Sequence, residues 1–320
     1  MVEAIQTELF ERQGSWHEVG RVAKDARENT DQAFVDAGLN WEVEKVRLRG
    51  TASDDTAVST NMNAIIRTGS NAVLGGCKTG YKLYQNEQAM EWCRPLVDSK
   101  LWDYDSVGSF QDGRFCWALL GRDEIELVPG DKLKNRLLFI WNHTAKRSNV
   151  VTPCTIRVFC SNTLLPEVNR QKGNAYFERV AHMSGMEMNM ERLQVLWNKS
   201  KAAFDAQTKA YKGLLGDTFN DRKLRRLANK IFPIKKAGDK VTDRQAQNSV
   251  DVNRGARLML MGGASGHKEL GIQNTAYGAY MALTEYVEHY LGKKIKDRGS
   301  NILFGNGALL QRKIWEAVAA

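Results

Sequence analysis

Val107-Gly108-Ser109-Phe110-Gln111-Asp112-Gly113-Arg114-Phe115-Cys116-Trp117-Ala118-Leu119-Leu120 is the stretch that decides the fold. Two short apolar runs flank Gln111-Asp112-Gly113, and the Asp-Gly pair supplies the positive φ that a tight hairpin connection needs. Two more strands follow, at about Arg136 to Asn142 and Thr155 to Cys160, joined by the polar loop His143 to Asn149. Consecutive strands with short links favour antiparallel neighbours. The expectation is an antiparallel β-meander from about Asp105 to Cys160.

Outward from the meander the period becomes helical. Asn86 to Cys93 has helix propensity, with Met90, Cys93, Leu96 and Val97 able to share one face and Pro95 limiting or kinking it. Further upstream, Asp31 to Ala37 reads as a helix capped by Thr30 or Asn29 and stopped by Gly38. A short strand is expected at Trp41 to Leu48 and a small, polar, acidic loop from Gly50 to Thr60. Downstream, one long helix or a helical pair is expected between Ala175 and Lys212, with Phe177, Val180, Ala181 and Ser184 on one face. A short basic helix follows at Asp221 to Ile231, then a lysine-rich loop from Pro233 to Asp243 and a helix from Thr275 to Leu291 ended by Gly292. The fold class is therefore α+β, a central antiparallel meander packed with long helices. Three parts are expected: an N-terminal arm and helix (1–50), an α+β core (51–215), and a basic helical C-terminal part (216–320) packed on that core.

A chain of 320 residues that is 42% hydrophobic can bury a sizeable core. Its longest apolar runs, such as Leu137 to Trp141, are too short to cross a bilayer, and Met1-Val2-Glu3-Ala4 lacks a basic segment followed by an apolar stretch, so secretion is not expected. The five cysteines form no disulfide framework and no CxxC pair, so reduced thiols in a cytoplasmic protein are expected. Net charge is +9, and it is regional. Residues 1–121 hold 13 basic and 18 acidic side chains, residues 122–260 hold 26 and 14, and residues 261–320 hold 7 and 5. The basic stretch repels itself unless anions neutralise it, and polyphosphate is the commonest intracellular polyanion.

Chemical motifs are sparse. In Gly75-Gly76-Cys77-Lys78-Thr79 and Gly262-Gly263-Ala264-Ser265-Gly266-His267-Lys268 a residue separates the last glycine from the lysine, so neither is a phosphate-binding loop; both read as glycine turns. Cys154 and Cys160 stand about 20 Å apart on an extended strand and cannot share a zinc ion. Asp98-Ser99-Lys100 has the bare spacing of a metal nuclease motif but falls at a helix end. No catalytic residue, cofactor or metal ligand is assigned. What remains is cationic: Arg114, Arg136, His143, Lys146, Arg147 and Arg157 along the meander, and Arg222, Lys223, Arg225, Arg226 and Lys230 on the short helix. If Phe115, Trp117, Leu119, Leu138, Ile140, Ile156 and Val158 fill the core face, the other sheet face carries much of this charge and could follow a phosphate backbone. Trp141, Phe159 or Tyr176 would then stack on bases.

Val107 to Arg114 and Ile156-Arg157-Val158-Phe159-Cys160-Ser161-Asn162-Thr163-Leu164 resemble the phage/plasmid-like family that shares the domain of unknown function 932. The likeness extends to Trp16 to Gly20, Ala37 to Trp41, Arg179 with His182, Thr275, Ala282 to His289, and Gly305 to Ala308. It implies a mobile-element context and no defined activity. The order of helix, meander and long helix is also similar to the layout of single-strand annealing proteins of the Rad52 and Red-beta kind, a likeness of fold alone. The expectation is a cytoplasmic phage or plasmid protein that binds single-stranded DNA, assembles as a homo-oligomer, and acts in strand annealing and homologous recombination without nucleotide, metal or enzymatic step. Two alternatives stand beside it: a protein whose basic surface docks a host or defence protein, and a metal-dependent nuclease.

Overall fold

The structure is a computed structural model that describes residues 26–157, 163–164, 178–180, 190–238, 240–291, 301–302 and 305–320. In chain order the elements are α1 (Thr30–Asp36), β1 (Val43–Thr51), β2 (Ala57–Arg67), β3 (Val73–Lys78), α2 (Asn86–Asp98), β4 (Asp103–Phe110), β5 (Phe115–Val128), β6 (Asp131–Asn142), β7 (Asn149–Arg157), β8 (Thr163–Leu164), β9 (Glu178–Val180), α3 (Met190–Gly216), α4 (Asp221–Ile231), α5 (Asp243–Leu258), α6 (Ala276–Glu285) and α7 (Asn306–Val318). The class is α+β with antiparallel sheets. One sheet has the order β1-β2-β3; the other runs β4-β5-β6-β7-β8, with β9 also on β7. Among the described residues no helix is long and apolar enough to cross a membrane.

The deciding hairpin forms as its sequence dictates. Phe110 pairs with Phe115 and Val107 with Ala118. Between them Gln111, Asp112 and Gly113 take φ of 54°, 59° and 95°, a turn for which Asp and Gly are suited.

Two compact units divide the chain. One holds the described residues of Met1–Asp123, Arg136–Pro153 and Ala175–Lys201; the other holds those of Glu124–Asn135, Cys154–Asn174 and Ala202–Ala320. The units interleave in sequence instead of following the order 1–50, 51–215, 216–320, because β5, β6, β7 and α3 each contribute residues to both.

In the first unit, Ala89, Trp92, Cys93, Leu96 and Val97 form the buried stripe of α2 at i, i+3, i+4, i+7 and i+8. Full burial of each large apolar side chain contributes about 1.5–3 kcal/mol. Pro95 does not end the helix, which runs on to Asp98. The stripe packs on the sheet through Trp92 against Phe139 (ring centroids 4.4 Å apart), while Phe34 of α1 stacks on Trp141 at 5.7 Å. Asn29 caps α1, its side chain accepting from the Gln32 amide.

In the second unit α6, buried along its whole length, is the centre of the core. Leu224, Leu227, Ala228 and Ile231 seat α4, and Asn253 of α5 donates to the Phe232 carbonyl at 2.6 Å. A Thr242–Gln245 capping box starts α5, a helix for which no sequence signal was read.

Several expectations are corrected. The Gly50 to Thr60 loop is the end of a hairpin, with only Ala52 to Thr56 between the strands. From Ala57 to Ser59 the second strand exposes both faces, so it lacks there the apolar alternation by which strands are recognised. Glu178–Val180 is a strand paired with β7, not the start of a helix. Gly75-Gly76 lies inside β3, and Met259–Gly263 is a π-helical turn. The helix from Thr275 gives way to a second π-helical turn at Tyr286–Tyr290. Of the residues singled out from sequence, Trp16 to Gly20, Val158, Phe159, Cys160, Tyr176, Phe177, Ala181, His182, Ser184 and Gly292 lie outside the described residues.

Candidate nucleic-acid interface

The meander does not present an open cationic face. Trp117, Leu119, Leu138 and Ile140 are buried as expected, but so are Cys116, Ala118, Leu120, Leu137, Phe139 and Trp141 of the opposite parity. With both faces covered, the polar side chains between them are sealed in pairs. Arg136 is 3% exposed and meets Asp105 at 3.0 Å. Arg157 is fully buried, its Nε 2.8 Å from Asp131, whose other oxygen accepts from the Tyr277 hydroxyl at 2.8 Å. His143 is also buried, 3.0 Å from Asn86. Because the Asn86 amide group donates to the carbonyls of Leu39 and Trp41, its oxygen is the acceptor there, so His143 carries its proton on Nε2. Trp141 donates to the same oxygen at 2.8 Å and is stacked internally, away from any base. Arg136, His143, Arg157 and Trp141 are therefore structural, and the expectation that they line an exposed surface is corrected.

The other eight cations are exposed, in two groups. Arg114, Lys146 and Arg147 surround a cleft of about 400 Å³ in the first unit, floored by Val73 to Gly76 of β3. Gly75 is needed here, since a Cβ would lie 2.7 Å from the backbone of Thr144. That close approach lets the Thr144 to Arg147 loop lie on the strand. Arg114 donates to the Val73 carbonyl at 3.3 Å, which ties the turn after β4 to β3.

Gly76 also lines a second cleft, of about 640 Å³, with Asn61, Lys78, Thr79, Tyr81 and Ala145 among its walls. Asn61, Asn63 and Thr79 are joined by hydrogen bonds. Burial pushes the Tyr81 hydroxyl up to about 12, so it stays protonated at neutral pH. The two clefts adjoin on either side of the Thr144 to Arg147 loop. Four cations line them and, among the described residues, no carboxylate does. A third cleft in the same unit has the opposite character, with Glu28, Asp103 and Asp123 beside Lys100.

The second group lies on α4. Seating Leu224, Leu227, Ala228 and Ile231 in the core turns Arg222, Lys223, Arg225, Arg226 and Lys230 to solvent. Asn220 caps the helix by accepting from the Lys223 amide, and Lys223 lies over the Phe219 ring at 5.2 Å. Lys235, Lys236 and Lys240, also exposed, extend this basic surface beyond the five residues read from sequence.

The alternative chemistries find little support in the described residues. No group of three or more His, Cys, Asp or Glu residues could hold a metal ion. Lys100 of the nuclease-like tripeptide pairs with Glu28 at 2.8 Å. Cys77, Cys93, Cys116 and Cys154 are buried, and burial pushes the thiols of Cys77, Cys93 and Cys116 upward.

The model of one family, described as domain of unknown function (DUF932), matches residues 73–303, and the chain belongs to that family. The match begins at β3, so the β1–β2 hairpin precedes it. No curated protein and no solved structure matches the chain.

Proposed function

We propose that this member of a family with no assigned activity binds single-stranded DNA by its phosphates. The observation that carries the reading is the pair of adjoining clefts around the Thr144 to Arg147 loop, whose described lining residues include Arg114, Lys146, Arg147 and Lys78 and no carboxylate. Cations gathered in a concave track attract a polyanion and hold it by neutralisation and counterion release. Strand annealing in a phage or plasmid setting belongs to the same proposal: a strand gripped by its phosphates keeps its base edges free to test a complement.

The test is an anisotropy titration of labelled oligothymidine at several salt concentrations, comparing wild type with an Arg114→Ala/Lys146→Ala/Arg147→Ala variant. Each phosphate contact to a single strand adds about 0.7 to the slope of log affinity against log salt, so losing three contacts lowers it by about 2. All three side chains are exposed, and a thermal melt of the variant checks that the fold is kept. A wild-type affinity that is negligible, or that hardly changes with salt, rules this function out.

A further inference from the structure

The β1–β2 hairpin stands out from the first unit in a way that packing alone does not explain. From Glu44 to Arg49 and from Ala57 to Ser59 every residue is exposed. An isolated two-stranded hairpin is marginal in water. This one is secured at its base by β3 and by Gln85, whose side chain exchanges hydrogen bonds with both the amide and the carbonyl of Val43 (2.9 and 2.8 Å). Its tip closes through Ala52 and Thr56.

Strand alternation sorts its side chains. Val46, Leu48, Val58 and Met62 share one face and are 41–46% exposed. Lys45, Arg47 and Arg49 share the other, where Arg47 lies opposite Asn63 and Arg49 opposite Ser59. No carboxylate shares this second face along the paired strands: Glu44 has the opposite parity, and Asp54 and Asp55 lie in the tip, Asp54 accepting from the Thr56 amide.

The basic face begins at the second cleft. Lys45 donates to the carbonyls of Thr79 and Tyr81, both at 2.9 Å, and these two residues form part of that cleft's wall. Arg47 and Arg49 continue the row outward at a spacing of about 7 Å along the strand. Arg47 donates to Ser59 at 2.7 Å, which orients the guanidinium across the ribbon.

We infer that the basic face of this hairpin is a further binding surface for the same single strand of DNA, extending the track from the clefts and meeting successive phosphates with Arg47 and Arg49. The inference rests on the proposed function, and it places contacts outside the residues that the family model covers.

The experiment compares wild type, Arg47→Ala/Arg49→Ala, and the opposite-face variant Val46→Ser/Val58→Ser on long and short labelled oligothymidines across a salt series. The expected result is a slope lower by about 1.4 for the arginine variant on the long strand, two contacts at about 0.7 each. Several-fold weaker binding of the long strand accompanies it, while a strand short enough to fill only the clefts is bound as by wild type. The opposite-face variant matches wild type throughout. An unchanged slope in the arginine variant, with the Arg114→Ala/Lys146→Ala/Arg147→Ala variant impaired, overturns the hairpin surface and leaves the proposed function standing. Equal losses in both hairpin variants also overturn it, because the effect would then follow from hairpin stability and not from charge. Failure of wild type to bind either strand removes both proposals together.

Discussion

Arg157 at the end of β7 and Arg114 in the turn before β5 carry the same charge, yet only the second can serve a ligand. Around Arg157 the charge is answered internally: Asp131 is equally buried and is held in turn by Tyr277. Removing one partner of such a pair costs about 3–5 kcal/mol, since a charge is left unpaired in the core. His267, 1% exposed in the same unit, shows the neighbouring effect of that burial. Desolvation, and then the positive charge of Arg157, push its imidazole from 6.5 down to about 3. Between those values the unfolded chain takes up a proton that the folded protein refuses. The stability that neutral His267 contributes is thus complete above pH 6.5 and is lost as the pH falls towards 3. Glu285 works the other way: burial raises its carboxyl, so its contribution is present below its unfolded value and is lost as the pH rises through its folded one. Thermal melts at about pH 7.5 and about pH 5 should show the second unit destabilised by acid, and His267→Leu should flatten that dependence. The same acid loss in the variant would assign the effect to other groups.

At the scale of the element, β3 shows how a strand can be fitted to a site by what it lacks. Val73 to Lys78 is short and glycine-rich, with weak β propensity, and it holds its place through pairing with β2. A side chain at position 75 would collide with Thr144. Gly75→Ala should therefore separate β3 from the Thr144 to Arg147 loop, costing about 1–3 kcal/mol by overpacking and weakening oligothymidine binding. Urea denaturation and the anisotropy titration check the two effects. Gly76→Ala serves as the comparison, because its nearest neighbour, the Asn63 carbonyl, is 3.7 Å away and no such collision follows. Helix α4 teaches the complementary lesson. Four apolar residues at i, i+3, i+4 and i+7 fix its orientation, and with that alone five cations are turned outward.

For the whole molecule, the basic surfaces on the two units share no residue. Arg225→Ala/Arg226→Ala should lower the salt slope for oligothymidine by its own increment, up to about 1.4, whether or not the cleft cations are present. A slope that the helix variant leaves unaltered would confine binding to the first unit. Much of this was legible in the sequence, because it depended on local rules. The Asp112-Gly113 turn and its flanking runs specified the hairpin, period 3.6 gave the limits of α4, and the charge count located the basic stretch. Exposure was not legible. Arg136 and Arg157 lie on strands whose two faces are both covered, and His143 follows directly on one; strand alternation assigns a side chain to a face without saying whether that face meets solvent or another layer. Of the β1–β2 hairpin the first strand was legible at Trp41 to Leu48, and the second was missed for the converse reason: from Ala57 to Ser59 it is exposed on both faces and needs no buried alternation. The sequence by itself determined the β4–β5 hairpin, α1, α2, α4 and the sign of the charge, since turns, caps and periodicity act over a few residues. Only the tertiary structure decided which cations are paired in the core and which line the clefts, because that depends on neighbours tens of residues away, such as Asp105 for Arg136 and β3 for the Thr144 to Arg147 loop.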